Sequence, residues 1–183
     1  MAKSYHQILL PEKIELAGPL AEAYYNLLHG PTISYQNSPH AIGLIDLENE
    51  LFGTGGWAEG DSYSGIKNIV GTKYDDVIKG NSQNNYLFGG AGADIFVLDS
   101  PKKIFAQADK ILDFTRGEDK IDVRTSLNDA AEVWVSREHK DNQTNMVIYE
   151  NASKSVILGV LDNYSGDLGA QDFQDDVTVN EIL

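Results

Sequence analysis

Two periodicities divide the chain. Near the start, apolar residues recur at three- and four-residue steps, at Leu20, Tyr24, Leu27 and Leu28. That spacing predicts a short helix with one sticky face. Gly18-Pro19 opens it and Gly30-Pro31 closes it, since proline fits a first helical turn and glycine followed by proline ends one. Residues 1–32 are therefore expected to form a helical cap packed over the first rung of a stacked β structure. From Thr32 to Val70 the pattern changes to short strands and glycine turns. Ala41-Ile42-Gly43-Leu44-Ile45-Asp46-Leu47 alternates well enough to predict a strand, and Gly53 to Gly60 a glycine-rich loop.

After Val70 a strict period of nine appears. Gly71-Thr72-Lys73-Tyr74-Asp75-Asp76-Val77-Ile78-Lys79, Gly80-Asn81-Ser82-Gln83-Asn84-Asn85-Tyr86-Leu87-Phe88 and Gly89-Gly90-Ala91-Gly92-Ala93-Asp94-Ile95-Phe96-Val97 adjoin one another without a gap. Each unit opens with glycine, carries Asp or Asn sixth, and places Ile78, Leu87 or Phe96 eighth. The first six residues, rich in Gly, Asn and Asp, favour a tight turn. The last three make a minimal strand whose middle residue points inward. Stacked copies give a continuous apolar stripe flanked by two columns of turns, the signature of a calcium-binding parallel β-helix. Farther on, Glu132–Ser136, Asn145–Tyr149 and Ser155–Val160 read as strands of an antiparallel sheet that covers the far end and blunts its exposed edge. The expected fold class is all-β: a right-handed parallel β-roll over 33–183, with the N-terminal helical cap and a C-terminal antiparallel strand cap.

Composition narrows the function. Of 183 residues, 28 are acidic and 14 basic, a formal charge of −14. An acidic chain of this kind lacks the basic face that displaces counterions from nucleic-acid phosphates, and it suits a protein that collects cations. With no cysteine, disulfides and thiolate zinc sites are excluded, and a structural metal is an obvious alternative staple. No run approaches the ~20 apolar residues that span a bilayer. The apolar patch in Ile8-Leu9-Leu10 is too short for the core of a secretory signal. The expectation is a chain that stays inside or leaves by a route that does not read its N-terminus.

These repeats resemble the RTX (repeats-in-toxin, hemolysin-type) family of bacterial secreted proteins, from about Ile33 to the C-terminus. Ser64-Gly65-Ile66-Lys67-Asn68-Ile69-Val70-Gly71 looks like the degenerate rung that precedes such arrays, and Gly89–Phe96 like the last well-formed repeat. Ala108-Asp109-Lys110-Ile111-Leu112-Asp113-Phe114 with Gly117-Glu118-Asp119-Lys120-Ile121-Asp122-Val123 resembles the segment that closes the roll in serralysin-type proteases and alginate (mannuronan C5-) epimerases. Gly166-Asp167-Leu168-Gly169-Ala170-Gln171-Asp172-Phe173 is similar to the end of epimerase R-modules.

The resemblance implies two nonapeptides per turn of the roll and Ca2+ between turns stacked in one column. Carried over, Asp76 and Asp94 would supply carboxylates, with carbonyls from Thr72, Tyr74, Gly89 and Ala91. A second site would use the Gly90 and Gly92 carbonyls, Asp94 and, farther along, Asp109. Oxygen-only coordination is what this hard cation requires. Two departures matter: in the opposite column the turns end in Lys67 and Asn85. An ammonium in a ligand position disfavours calcium, and Asn85 is expected to satisfy turn amides itself. Asp75, Asp119 and Asp122 read as ordinary turn or strand-edge residues, with Asp113 a candidate exception. About one to three ions are expected rather than a long string.

His6, His29, His40 and His139 are scattered and no His-Glu-x-x-His occurs; neither a Gly-x-Ser-x-Gly elbow nor a phosphate loop is present. The chain is accordingly expected to be non-catalytic. By resemblance it would be a secreted, extracellular, monomeric calcium-binding module that folds outside the cell and supports type I secretion, with Asp175–Leu183 resembling the uncleaved export signal. The alternatives are a module binding an alginate-like anionic polysaccharide through Lys67, Lys73 and Lys79, and an adhesin segment.

Overall fold

The computed structural model describes residues 32–48, 53–99, 101–123, 132–140, 142–174 and 177–182. The expected N-terminal helix, at residues 20–28, lies outside them. Among the described residues the regular structure is β-strand with three single 3₁₀ turns.

The nonapeptide pattern is realised strand by strand. β3 (Asn68–Val70), β4 (Val77–Lys79), β5 (Tyr86–Phe88) and β6 (Ile95–Val97) are each three residues long. In β4, β5 and β6 the middle residue alone is fully buried. Alternate strands go to opposite sheets. β3 and β5 pair in parallel with Asn68 opposite Tyr86, and β4 and β6 with Val77 opposite Ile95, both offsets of eighteen residues. Two nonapeptides therefore make one full rung.

The same path extends both ways. β1 (Thr32–Ser34) pairs with β3, and β2 (Ile45–Asp46) with β4. Only Ile45–Asp46 of the strand expected over 41–47 is regular, because Gly43 and Leu44 turn to bond Thr54. β7 (Lys110–Ile111) pairs with β5 and β8 (Lys120–Asp122) with β6. The result is two inward ladders. Ile33, Ile69, Leu87 and Ile111 stack in one sheet, and Ile45, Ile78, Phe96 and Ile121 in the other. All but Ile33 are fully buried.

The far end holds one more rung. β9 (Glu132–Lys140), β10 (Gln143–Tyr149) and β11 (Ile157–Leu161) form the expected antiparallel sheet. β11 also pairs in parallel with β7, placing Leu161 beside Ile111. After it the chain crosses to the second sheet, where Phe173 bridges Ile121. The antiparallel strands thus cap the roll by adding to its open edge, where they satisfy backbone groups that would otherwise invite pairing. β12 (Thr178–Glu181) pairs in parallel with β9, so the described part of the tail expected to resemble an export signal is built into this sheet.

Candidate metal site

The turns linking the sheets fall into two columns. One contains 71–76, 89–94 and 113–119, which lead into β4, β6 and β8. The other contains the turns ending at Lys67, Asn85 and Asp109, which lead into β3, β5 and β7.

In the first column, aspartates are tied to one another's backbone. Asp76 accepts from its own turn, at Thr72 N (2.5 Å) and Thr72 Oγ1 (3.0 Å), and from Ile42 N (2.6 Å). The Asp76 amide donates to Asp94 Oδ1 at 2.8 Å, and the Asp94 amide to Asp119 Oδ1 at 3.0 Å. Asp119 Oδ2 takes the Thr115 amide at 2.7 Å. Asp113 receives Gly89 N at 3.0 Å and Gly90 N at 2.8 Å on its two oxygens. Successive turns approach closely. Gly90 and Gly92 have φ of 110° and 112°, and a Cβ on Gly90 would collide with the Thr72 carbonyl. Only glycine fits both the positive φ and the contact.

One atom stands out. Asp94 Oδ2 is buried and has no hydrogen-bond partner, on a residue that is 1% exposed. A buried carboxylate oxygen without a donor costs free energy unless a cation or proton meets it. Burial, followed by the charges of Asp119, Asp76 and Asp113, pushes the Asp94 carboxyl up to about 8, against the opposing Asp76 amide. Asp113 is pushed up to about 7, and burial raises Asp76 and Asp119 as well. No lysine or arginine pairs with these four carboxylates among the described residues. Their chemistry fits Ca2+: oxygen donors only, excess negative charge, and an orphan oxygen facing like charges. No cluster of three or more His, Asp or Glu side chains in metal-holding array occurs among the described residues, so most donors here would be backbone carbonyls.

Of the residues expected from sequence, Thr72, Tyr74, Asp76, Gly89, Gly90, Ala91, Gly92 and Asp94 come together on two adjacent turns. Asp109 does not join them. It lies in the other column, accepting the Asn85 amide at 2.9 Å, because 110–111 stacks on 86–87. The carboxylate in register beyond Asp94 is Asp119, which the sequence pattern presents as an ordinary turn residue. Its signal is an inward Ile121 two positions later, the same interval that separates Asp94 from Phe96. An irregular spacing of 25 residues hides it.

The three lysines form no common stripe. Lys67 precedes β3 in one column, and Lys73 sits in the other against the Tyr74 ring. Lys79 is held between Asp99 at 2.8 Å and Asp46 at 3.4 Å.

No curated protein matches this chain. The family described as the Peptidase M10 serralysin C terminal matches residues 45–182, from the start of β2 to just past β12. Domains of that family are calcium-binding β-rolls and belong to secreted proteins. Rungs, turn columns and match agree, and the chain belongs to the serralysin C-terminal, RTX-type family.

Proposed function

We propose that the chain is a non-catalytic, calcium-dependent folding module that supports type I export of an extracellular protein. The observation that carries this reading is the buried, unpartnered Asp94 Oδ2 within a stack of carboxylates. Without calcium, the repelling carboxylates of 76, 94, 113 and 119 oppose closure of the turns, and the chain stays open enough to be threaded through a channel. In calcium-rich surroundings the cation neutralises the stack. Asp76 and Asp94 would hold one ion by carboxylate, with the carbonyls of Thr72, Tyr74, Gly89 and Ala91 in its oxygen shell, and Asp94 with the carbonyls of Gly90 and Gly92 would serve a second. Each site at a hundredfold excess of calcium over its dissociation constant adds about 2.7 kcal/mol to folding. That is a large fraction of a typical domain's stability.

The test is a calcium titration of chelator-treated protein followed by far-UV circular dichroism and melting temperature, with magnesium as control. A calcium-specific gain of β signal and of melting temperature is expected. A chelated protein already folded to the same melting temperature would overturn the folding role. Export is tested separately, by secretion of a fused reporter with and without residues 174–183 through a type I channel.

A further inference from the structure

The two turn columns of the roll differ in the chemistry of the same repeat position. Asp94 and Asn85 are both sixth in their nonapeptides. Both donate their backbone amide to a carboxylate of the next rung, Asp119 at 3.0 Å and Asp109 at 2.9 Å. Both are buried, at 1% and 0% exposure. They part company at the side chain. Asp94 keeps an oxygen with no partner. Asn85 is satisfied at both ends: Oδ1 accepts the Asn81 amide at 2.6 Å, while Nδ2 donates to the Lys67 carbonyl at 2.7 Å and to Asn81 Oδ1 at 3.1 Å. The Lys67 carbonyl belongs to the preceding rung, so this amide spans the gap between stacked turns.

Other donors do the same work nearby. Asn81 Nδ2 reaches the Ile66 carbonyl at 3.3 Å, and Lys102 Nζ the Ser82 carbonyl at 2.8 Å. A cation bridging turns binds carbonyl oxygens of one turn and oxygens of the next. Here N–H groups already occupy those carbonyls.

We infer that calcium loads along one edge of the roll only, at turns 71–76, 89–94 and 113–119, and that Asn85, aided by Lys102, closes the opposite edge as a built-in substitute for the ion. One edge then stacks without metal and holds strand register, while the other waits for calcium. This rests on the proposed calcium-dependent folding and assigns the residue that limits its reach. Replacing Asn85 by aspartate would set a carboxylate beside Asp109, reproducing the Asp94–Asp119 arrangement.

The experiment is calcium stoichiometry by equilibrium dialysis and melting temperature in chelator and in calcium, on the full chain, for the wild type, Asn85→Asp, Asn85→Ala and Lys102→Ala. Asn85→Asp is expected to bind about one more ion per chain than wild type, to melt lower in chelator, and to recover in calcium. Unchanged stoichiometry with an unchanged melt in chelator would overturn the inference. Should Asn85→Asp fail to fold, the alanine variants decide. A melting loss equal in chelator and calcium supports a metal-free edge, and a loss that calcium restores overturns it. A wild type that binds no calcium would instead refute the calcium reading itself, so the two failures are distinguishable.

Discussion

At Asp94, one carboxylate oxygen takes the Asp76 amide and the other faces Asp119, Asp76 and Asp113 without a donor. Asp94→Asn removes the charge and keeps the shape. It is expected to weaken calcium binding at least about tenfold by isothermal titration calorimetry, while raising the melting temperature measured in chelator. The same carboxyl gives a pH signature. Its folded value near 8 stands above the ordinary 3.8, so between those limits the folded, calcium-free chain holds a proton that the unfolded chain has released. Stability in chelator is therefore expected to fall as pH rises from about 4 to about 8 and to level off above. Asp109 and Asp113, pushed up to about 7 by burial, contribute in the same direction. With calcium the dependence reverses, because protons compete for the ligands: calcium affinity is expected to drop as pH is lowered below about 8. Urea midpoints across this pH range, with and without calcium, check both signs.

At the scale of the strand and its turn, the repeat couples one inward side chain to one glycine turn. Phe96 lies between Ile78 and Ile121 in the second ladder and is fully buried. Phe96→Ala is expected to cost about 3–5 kcal/mol in urea unfolding at saturating calcium, the range for losing a packed aromatic ring. Gly90→Ala tests the turn. Its φ of 110° and its contact with the Thr72 carbonyl leave no place for a Cβ. A loss of about 1–3 kcal/mol is expected from backbone strain, accompanied by weaker calcium binding, because the displaced turn carries proposed ligands. The repeat strands were legible in the sequence because glycine and an apolar eighth residue mark every ninth step. The turn from β7 to β8 was harder to read. Thr115-Arg116-Gly117-Glu118 lengthens it beyond the nonapeptide, so it is the pairing of β8 with β6, and not the spacing, that places Asp119 in the column.

Across the whole molecule, a net charge of −14 opposes compaction unless it is screened or neutralised. Sodium chloride is expected to raise the melting temperature in chelator modestly by screening. Calcium should raise it much further at far lower concentration. Magnesium should not substitute, since it demands a tighter octahedral shell and keeps its waters. Differential scanning fluorimetry over the three salts separates screening from site binding. The antiparallel strands beyond the repeats matter at this scale too. Arg137 on β9 pairs with Glu181 on β12 and with Asp167 in the last crossover, which joins the final rung to the edge of the cap.

The sequence alone determined the β-roll, the inward positions of Ile78, Leu87 and Phe96, the pairing of turns 71–76 and 89–94, and the departure at Asn85. All of these stem from a period of nine, and a strict period converts directly into stacking. Tertiary structure alone decided where the period breaks. It sent Asp109 to the column of Asn85 and Asp119 to that of Asp94, built a further rung from Leu161 and Phe173, and dispersed the three lysines. Each of these depends on strand pairing across loops of irregular length, where the spacing between residues no longer fixes which edge of the roll they reach.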